Sequence, residues 1–328
     1  MPRRSDAHDW RPSAAPAALR ERAALLTRLR GFFAAAGVLE VETPILSRAA
    51  TSDPALASLA SLWHGPGEAR PLHLHTSPEL PMKRLLAAGS GPIYQICKVF
   101  RDGERGRLHH PEFTLLEWYR PGWDYRRLMV EVADLVRCAL GEPERPVEEI
   151  AYRDLFRERL GVDPWRADAA ELARTAAARG IGGADGLALE RDGWLDLLLT
   201  HCLEPALGRS RLTFVYDYPP SQAALARRRD GAVPVAERFE LYLEGVELAN
   251  GFQELTDGDE QRRRFLADLE VRAAAGLAMS PLDEAFLDAL AAGMPEAAGV
   301  ALGVDRLLMC RLGARHIDEV LAFPIERA

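Results

Sequence analysis

The stretch RDGERGRLHHPEFTLLEWY, Arg101 to Tyr119, decides how this chain is read. It divides into a strand end, a charged loop and a second strand. The approach strand is Ile93 to Phe100, IYQICKVF, rich in the β-branched and aromatic residues that sheets favour. Side chains in the return strand alternate. Phe113, Leu115, Glu117 and Tyr119 therefore share one face, and Thr114, Leu116 and Trp118 take the other. The first face presents an aromatic ring, then a carboxylate, then a phenol. The loop between the strands holds Arg101, Arg105, Arg107, His109 and His110. A loop this basic suits a polyphosphate, because the planar guanidinium fork matches phosphate oxygens. Phe113 is placed to stack on a base, an interaction worth about 1–3 kcal/mol. The competing reading is a solvated hairpin tip over a core Phe113. Glu117, facing inward, argues against it, since an unpaired buried carboxylate is costly.

Working outward, 328 residues accommodate one large domain or two ordinary ones with a substantial core. Hydrophobic residues make up 48% and charged residues 27%, the mix of a soluble globular protein, and no apolar run reaches a membrane span. Residues 1–16 carry charge but no apolar secretory stretch and read as a flexible lead-in. Cys97, Cys138, Cys202 and Cys310 are scattered without a CxxC pair. This predicts free thiols in a reducing cytoplasm rather than disulfides or zinc. The net charge of −8 gives no support for broad gripping of nucleic acid. Lys83 and Lys98 are the only lysines; arginine carries the other basic charge, which reads as genomic composition bias.

Toward the N-terminus, periodic Leu19, Leu25, Leu26, Leu29 and Phe33 predict a helix over 17–36, stopped by Gly37. A strand over 38–43 follows, closed by Pro44. Residues 47–70 read as irregular, and Leu72 and Leu74 as a strand. A helix starts near Pro78 or Glu79. Ser77 and Glu79 at that start read locally as caps. Beyond Tyr119 the apolar spacing is helical for about ninety residues. It predicts helices over 125–140, 152–160, 169–179 and 194–203, a structural insertion at about 124–208 packed on the sheet. His201 and Asp196 read as ordinary helix residues. Residues 212–218 return to strand.

A second cluster is ERFELYLEGVELANGFQELTD, Glu237 to Asp257. A turn at Glu244-Gly245 pairs Leu243 with Val246, Tyr242 with Glu247 and Glu240 with Ala249. Glu240 and Glu247 then lie diagonally on one face. Adjacent carboxylates repel unless a cation lies between them, and Mg²⁺ with triphosphate oxygens would serve. The alternative is a pair of surface carboxylates. Gly251 is read as allowing a bulge near Glu254. After charged helices over 259–277 and 283–291, AGVALGVDRLLM, Ala298 to Met309, predicts a buried strand, a glycine and a helix. Arg306 falls in the first turn of that helix, where the dipole favours anions. A bound anion would explain a cation there.

These segments resemble the class II aminoacyl-tRNA synthetases of the lysyl branch. Their motif 2 runs Phe-Arg-Asn-Glu, a loop, His-Asn-Pro-Glu-Phe-Thr, then Glu-x-Tyr. Phe100-Arg101, His109, Pro111 to Thr114 and Glu117 to Tyr119 match it. Gly103 stands where the family has Glu, with Glu104 one place later, and His110 stands where it has Asn. GVLEVETPIL resembles motif 1, the dimer interface, and Ala298–Met309 resembles motif 3. The resemblance covers about residues 20 to 325. It implies an α+β class II synthetase catalytic domain over 17–328, an antiparallel sheet flanked by helices.

The resemblance also implies roles. ATP contacts fall to Arg101, Asp102, Gly103, Glu104, His109, His110, Phe113, Glu247, Leu248, Gly303 and Arg306, with Arg101 and Arg306 catalytic. Substrate contacts fall to Ser77, Pro78, Glu79, Glu117, Tyr119, Asn250, Glu254 and Ala301, and Mg²⁺ to Glu240 and Glu247. Ala301 replaces a glycine of the lysyl enzymes. A helix starting near residue 17 leaves no room for their N-terminal anticodon domain, so no tRNA is expected. The pattern is closest to the stand-alone lysyl-synthetase paralogues. These imply a cytoplasmic homodimer, with no membrane partner, that joins (R)-β-lysine to a lysine side chain of elongation factor P. A ligase directed at tRNA or a small molecule, and an inactive regulatory paralogue, are the alternatives. Arg101, Glu247 and Arg306 weigh against the inactive form; Gly103 and His110 weigh for it.

Overall fold

A computed structural model describes residues 10–328; residues 1–9 of the expected lead-in lie outside the described residues. Helix α1 (Pro16–Ala35) begins with a proline suited to a first helical position and buries Leu25, Leu29 and Phe33. Gly37 ends it at φ +64, a conformation other residues adopt with strain. Strands β1 (Leu39–Glu40), β2 (Leu46–Ser47), β3 (Ala60–Trp63) and β4 (Arg70–Leu74) follow. Helix α2 (Glu79–Ala87) then leads into β5 (Ile93–Phe100) and β6 (Glu112–Pro121).

Two expectations change in this part. The strand expected over 38–43 shortens to β1, although the Val41 amide still donates to the Tyr94 carbonyl. The segment expected to be irregular contains β3, antiparallel to β4 from Ala60↔His73 to Trp63↔Arg70. All of β3 is exposed, so it lacks the buried alternation that marks a strand in sequence. Arg70 lies over the Trp63 ring at 4.3 Å and helps hold it.

The next segment carries α3 (Tyr125–Leu140), β7 (Val147–Ala151), α4 (Tyr152–Leu160), α5 (Ala169–Ala178), α6 (Arg191–Leu198) and β8 (Leu212–Tyr218). Three helices fall where apolar spacing placed them, while the one expected over 194–203 begins at Arg191 and gives way to a π-helix over Leu199–Leu203. Strand β7 interrupts the expected helical run, and its parallel pairing with β8 decides its state. The chain continues through β9 (Arg228–Arg229), β10 (Val235–Leu243), β11 (Val246–Gln253), α7 (Gly258–Ala274), α8 (Glu284–Gly293), β12 (Ala297–Gly303) and α9 (Val304–Leu312).

These elements form two compact units. The first comprises the chain up to Pro121, Thr256–Pro295 and Ala301–Ala328. Here β5 is antiparallel to β6, from Ile93↔Tyr119 to Phe100↔Glu112, and β1 joins β5 in parallel. Phe33 of α1 stacks on Tyr94 of β5 at 4.3 Å and meets Trp118 of β6 edge-on at 5.4 Å. The second unit comprises Gly122–Leu255 and Glu296–Val300. Its strands run β11-β10-β8-β7, antiparallel except at the β8–β7 edge, with β9 on β10. Tyr152, Phe156, Trp194, Leu195 and Leu198 of its helices pack on Val215, Tyr218 and Tyr242. The α+β class expected from the sequence, antiparallel strands flanked by helices, is the class observed.

The β10–β11 hairpin departs from its expected register. Glu244 and Gly245 both take positive φ, +53 and +74, as a two-residue hairpin turn of this twist requires. Leu243↔Val246 and Tyr242↔Glu247 pair as expected. The ladder then slips: Leu241 pairs with Ala249 and Glu240 with Asn250, not Ala249. Leu248 has no partner on β10, so the bulge lies there and not at Gly251. Gly251 is small for another reason. A Cβ there would lie 2.4 Å from the Phe239 ring and 2.9 Å from the Gly299 carbonyl oxygen. Gly251→Ala is therefore expected to cost about 1–3 kcal/mol by overpacking, read as a lower thermal midpoint.

Candidate active site

The β5–β6 hairpin roots the basic loop. The Arg101 amide donates to the Pro111 carbonyl at 2.9 Å and the Asp102 amide to Ala57 at 2.8 Å. The Arg101 guanidinium lies 5.0 Å over the Phe113 ring and 3.7 Å from the Glu104 carboxylate. Its Nε is buried and has no hydrogen-bond partner among the described residues. An unsatisfied buried donor costs about 1–3 kcal/mol, so this atom favours an incoming anion. Gly103 sits at φ +76, where a glutamate would be strained, and its amide donates to Asp102 Oδ1 at 2.9 Å. Glu104, one place later, lies beside Arg101.

Helix α9 supplies the second cation. Asp305, which the motif reading passed over, is 1% exposed and accepts the Thr114 amide of β6 at 2.6 Å. It also accepts Arg22 of α1. An acid in a helix's first turn is the sequence signal that marks it. The next residue, Arg306, reaches His109 Nε2 at 2.8 Å. A guanidinium only donates, so His109 accepts through Nε2 and keeps its proton on Nδ1. Burial and the Arg306 charge hold the His109 imidazole below its usual range, hence neutral at pH 7. Gly303 caps α9 with φ −75, open to any residue, and an added Cβ would lie nearest the Arg306 stem, at 3.7 Å. Ala301 is half-buried on β12.

Two basic loop residues are engaged elsewhere. Arg105 donates to Glu326 at 2.7 and 3.0 Å and to Asp318 at 2.7 Å, so its charge is met by the C-terminal segment. His110 is 4% exposed. Its Nδ1–H donates to the Glu112 carbonyl at 2.6 Å and its Nε2 accepts the Ile325 amide at 2.8 Å. Both ring nitrogens are thereby used on backbone. His110→Ala is expected to cost about 1–3 kcal/mol and to speed hydrogen exchange at the Ile325 amide.

Below the loop, β6 and α2 build an acidic cluster. Ser77 Oγ donates to Glu117 Oε2 at 2.7 Å and accepts the Glu79 amide at 3.0 Å. The hydroxyl thus serves the helix start and the carboxylate together. Tyr119 donates to Glu117 Oε1 at 2.6 Å, as their shared face requires. Pro78 is the N-cap, without a side-chain cap bond. The Glu79 carboxylate does not cap the helix; it meets Lys83 Nζ at 2.5 Å, one turn on. Lys83, 1% exposed, has no role in the sequence reading, although its i,i+4 spacing from Glu79 is the signal for one. Burial first, and the Glu79 charge second, push the Glu117 carboxyl up to about 8 against the hydrogen bonds from Tyr119 and Ser77.

The second unit holds the other expected residues. Glu240 is buried and committed: Oε1 accepts Arg238, and Oε2 accepts Tyr218 at 2.7 Å and Tyr242. Glu247 is half-buried opposite Tyr242, and Leu248 is the bulged residue. Asn250 Oδ1 accepts Arg238 Nε at 3.3 Å. Glu254 is 2% exposed, and its amide donates to the Ala297 carbonyl at 2.9 Å. No group of three or more His, Cys, Asp or Glu able to hold a metal occurs among the described residues. The donor set fits a hard cation shared with phosphate oxygens. Both oxygens of Glu240 already serve the arginine and two phenols, and Glu247 is the other carboxylate expected there. Cys97, Cys138, Cys202 and Cys310 are free thiols. No helix among the described residues is long and apolar enough to cross a membrane.

Residues 3–327 match the family model described as tRNA synthetases class II (D, K and N). A relative from Erwinia tasmaniensis, named elongation factor P–(R)-β-lysine ligase, is 50% identical over 98% of this chain and 99% of its own. One of the same name from Salmonella arizonae is 48% identical over 99% of this chain and all of its own. The chain belongs to the class II tRNA synthetase family of the D, K and N type.

Proposed function

We propose that the protein activates (R)-β-lysine with ATP and transfers it to a lysine side chain of elongation factor P. The names of its full-length relatives support this reading. The observation that carries it to the residues is Glu117, held by Ser77 and Tyr119 with Glu79 nearby. Lys83 meets Glu79, whereas the Glu117 oxygens accept from two neutral hydroxyls, and a diamino acid brings an ammonium group to Glu117.

The substrate carboxylate attacks the α-phosphorus of ATP, the bond to pyrophosphate breaks, and an acyl-adenylate forms. Arg101 meets the charge on the phosphoryl group, so catalysis rests on positioning and electrostatics. Phe113 and Arg306 flank adenine. Asp102, Gly103, Glu104, His109, Leu248 and Gly303 line the nucleotide, and His110 supports the loop through its backbone bonds. Glu254, Glu117 and Tyr119 take the side-chain ammonium. Ser77, Pro78 and Glu79 take the other amine, and Asn250 and Ala301 shape the amino-acid subsite. Mg²⁺ held by Glu247 would neutralise phosphate charge. In the second step the acceptor lysine amine attacks the acyl carbon, AMP leaves, and the amide forms with loss of the amine's proton.

The same reading treats residues 17–328 as one catalytic domain with a helical insertion at 124–208. It makes the protein a cytoplasmic homodimer that needs no tRNA. Exposed Leu39, Ile45 and Leu46 around motif 1 support the dimer. The test is the intact mass of elongation factor P after incubation with the protein, Mg·ATP and either lysine isomer. One aminoacyl increment, in higher yield with (R)-β-lysine, is expected. No increment with pyrophosphate exchange intact would point to another acceptor, and loss of both to a regulatory paralogue.

A further inference from the structure

Arg238, which no motif assigned, lies at the centre of a buried network in the second unit. Its three nitrogens serve three acceptors. Nη2 meets Glu240 Oε1, Nη1 donates to the Gln222 carbonyl at 3.0 Å, and Nε donates to Asn250 Oδ1 at 3.3 Å. Its guanidinium also lies 4.5 Å over the Tyr218 ring, and Tyr218 in turn donates to Glu240. Gln222 is held from its other end, its Nε2 donating to Asp196 at 2.7 Å. The side chain is 17% exposed and its partner Glu240 8%.

A guanidinium has donors and no acceptor. The Asn250 carboxamide beside it therefore has its oxygen turned to Arg238, and its NH₂ group turned away. We propose that Arg238 is a positioning residue for amino-acid recognition: anchored by Glu240, Tyr218 and Gln222, it fixes the Asn250 carboxamide in the orientation that leaves Nδ2 as the working donor. The proposal rests on the reading of Asn250 as a substrate residue. Its consequence is that Asn250 meets an acceptor oxygen of the amino acid and not an ammonium. Glu240 acquires a role through Arg238 as the carboxylate that holds the guanidinium in place.

The test is amino-acid-dependent ATP–pyrophosphate exchange with Arg238→Lys, Asn250→Ala and the double variant. Lysine keeps the positive charge beside Glu240, so the fold is retained, but one ammonium cannot serve three separated acceptors. Arg238→Lys is expected to raise the KM for the amino acid about tenfold, the equivalent of one charge-assisted hydrogen bond, and to leave the KM for ATP within about twofold. The two substitutions are expected to be non-additive, with Arg238→Lys adding little once Asn250 is alanine. Asn250→Asp, which keeps an oxygen for Arg238 but loses the donor, should raise the amino-acid KM without lowering the thermal midpoint. An unchanged amino-acid KM in Arg238→Lys, or additive effects in the double variant, would overturn the inference alone. A wild-type protein silent in exchange would overturn the functional reading, and the inference with it.

Discussion

Arg101→Ala is expected to lower ATP–pyrophosphate exchange by about 10²–10³-fold, the usual effect of deleting a preorganised donor to a charged transition state. The geometry gives reason to expect a larger effect from Arg101 than from Arg105 or His110. Arg105 is neutralised by Glu326 and Asp318, and the His110 ring is spent on backbone. Arg101, by contrast, keeps a buried Nε without a hydrogen bond, and its nearest carboxylate, Glu104, is 3.7 Å away. Its donor is thus in place before the reaction and is not tied up by a closer acid. Arg101→Lys is expected to recover only part of the loss, since an ammonium restores the charge but not the planar fork. Neither change should lower the thermal midpoint, because Glu104 keeps access to water and the Phe113 ring needs no hydrogen-bond partner. A variant retaining wild-type exchange would remove Arg101 from the reaction.

Glu117→Gln is expected to raise the KM for the lysine substrate by about 10²-fold or more, since removing one partner of a buried charge pair costs about 3–5 kcal/mol. Glutamine preserves the shape; its one carbonyl oxygen accepts from Ser77 or Tyr119 and its NH₂ donates to the other hydroxyl oxygen, so packing is kept while the charge is lost. A pH dependence accompanies it. Burial and Glu79 push the Glu117 carboxyl up to about 8, so at pH 6 it is protonated in the substrate-free protein. An ammonium needs the ionised form. The amino-acid KM of the wild type should therefore rise about tenfold per pH unit below that value, a dependence absent from Glu117→Gln.

The stability effect of this group has the opposite slope. A carboxyl raised on folding favours the native state below its unfolded value and loses that contribution as pH climbs through about 8. The substrate-free wild type should thus become less stable between pH 5 and 8 relative to Glu117→Gln, by thermal melting. A flat KM profile with an unchanged KM in the variant would take Glu117 out of amine recognition.

The sequence by itself determined whatever depends on near neighbours along the chain. Strands β5 and β6, the shared face of Glu117 and Tyr119, helices α1 and α3, and the turn at Glu244-Gly245 all follow from short-range periodicity and turn chemistry. Arg101, Glu117, Glu247 and Arg306 stand out as candidates because they fall within contiguous motifs. Tertiary structure decided what depends on partners far away in sequence. Strand β7 exists because β8 pairs with it. The bulge lies at Leu248, while packing of Phe239 and Gly299 accounts for Gly251. Arg105 and His110 look like phosphate ligands in a linear reading. They are drawn instead to Glu326 and Ile325 at the end of the chain, because a buried or half-buried polar group takes whichever partner the fold brings within reach. Arg238 and Glu240 show the same principle: two residues apart on one strand face, they acquire their roles only when Tyr218, Gln222 and Asn250 close around them.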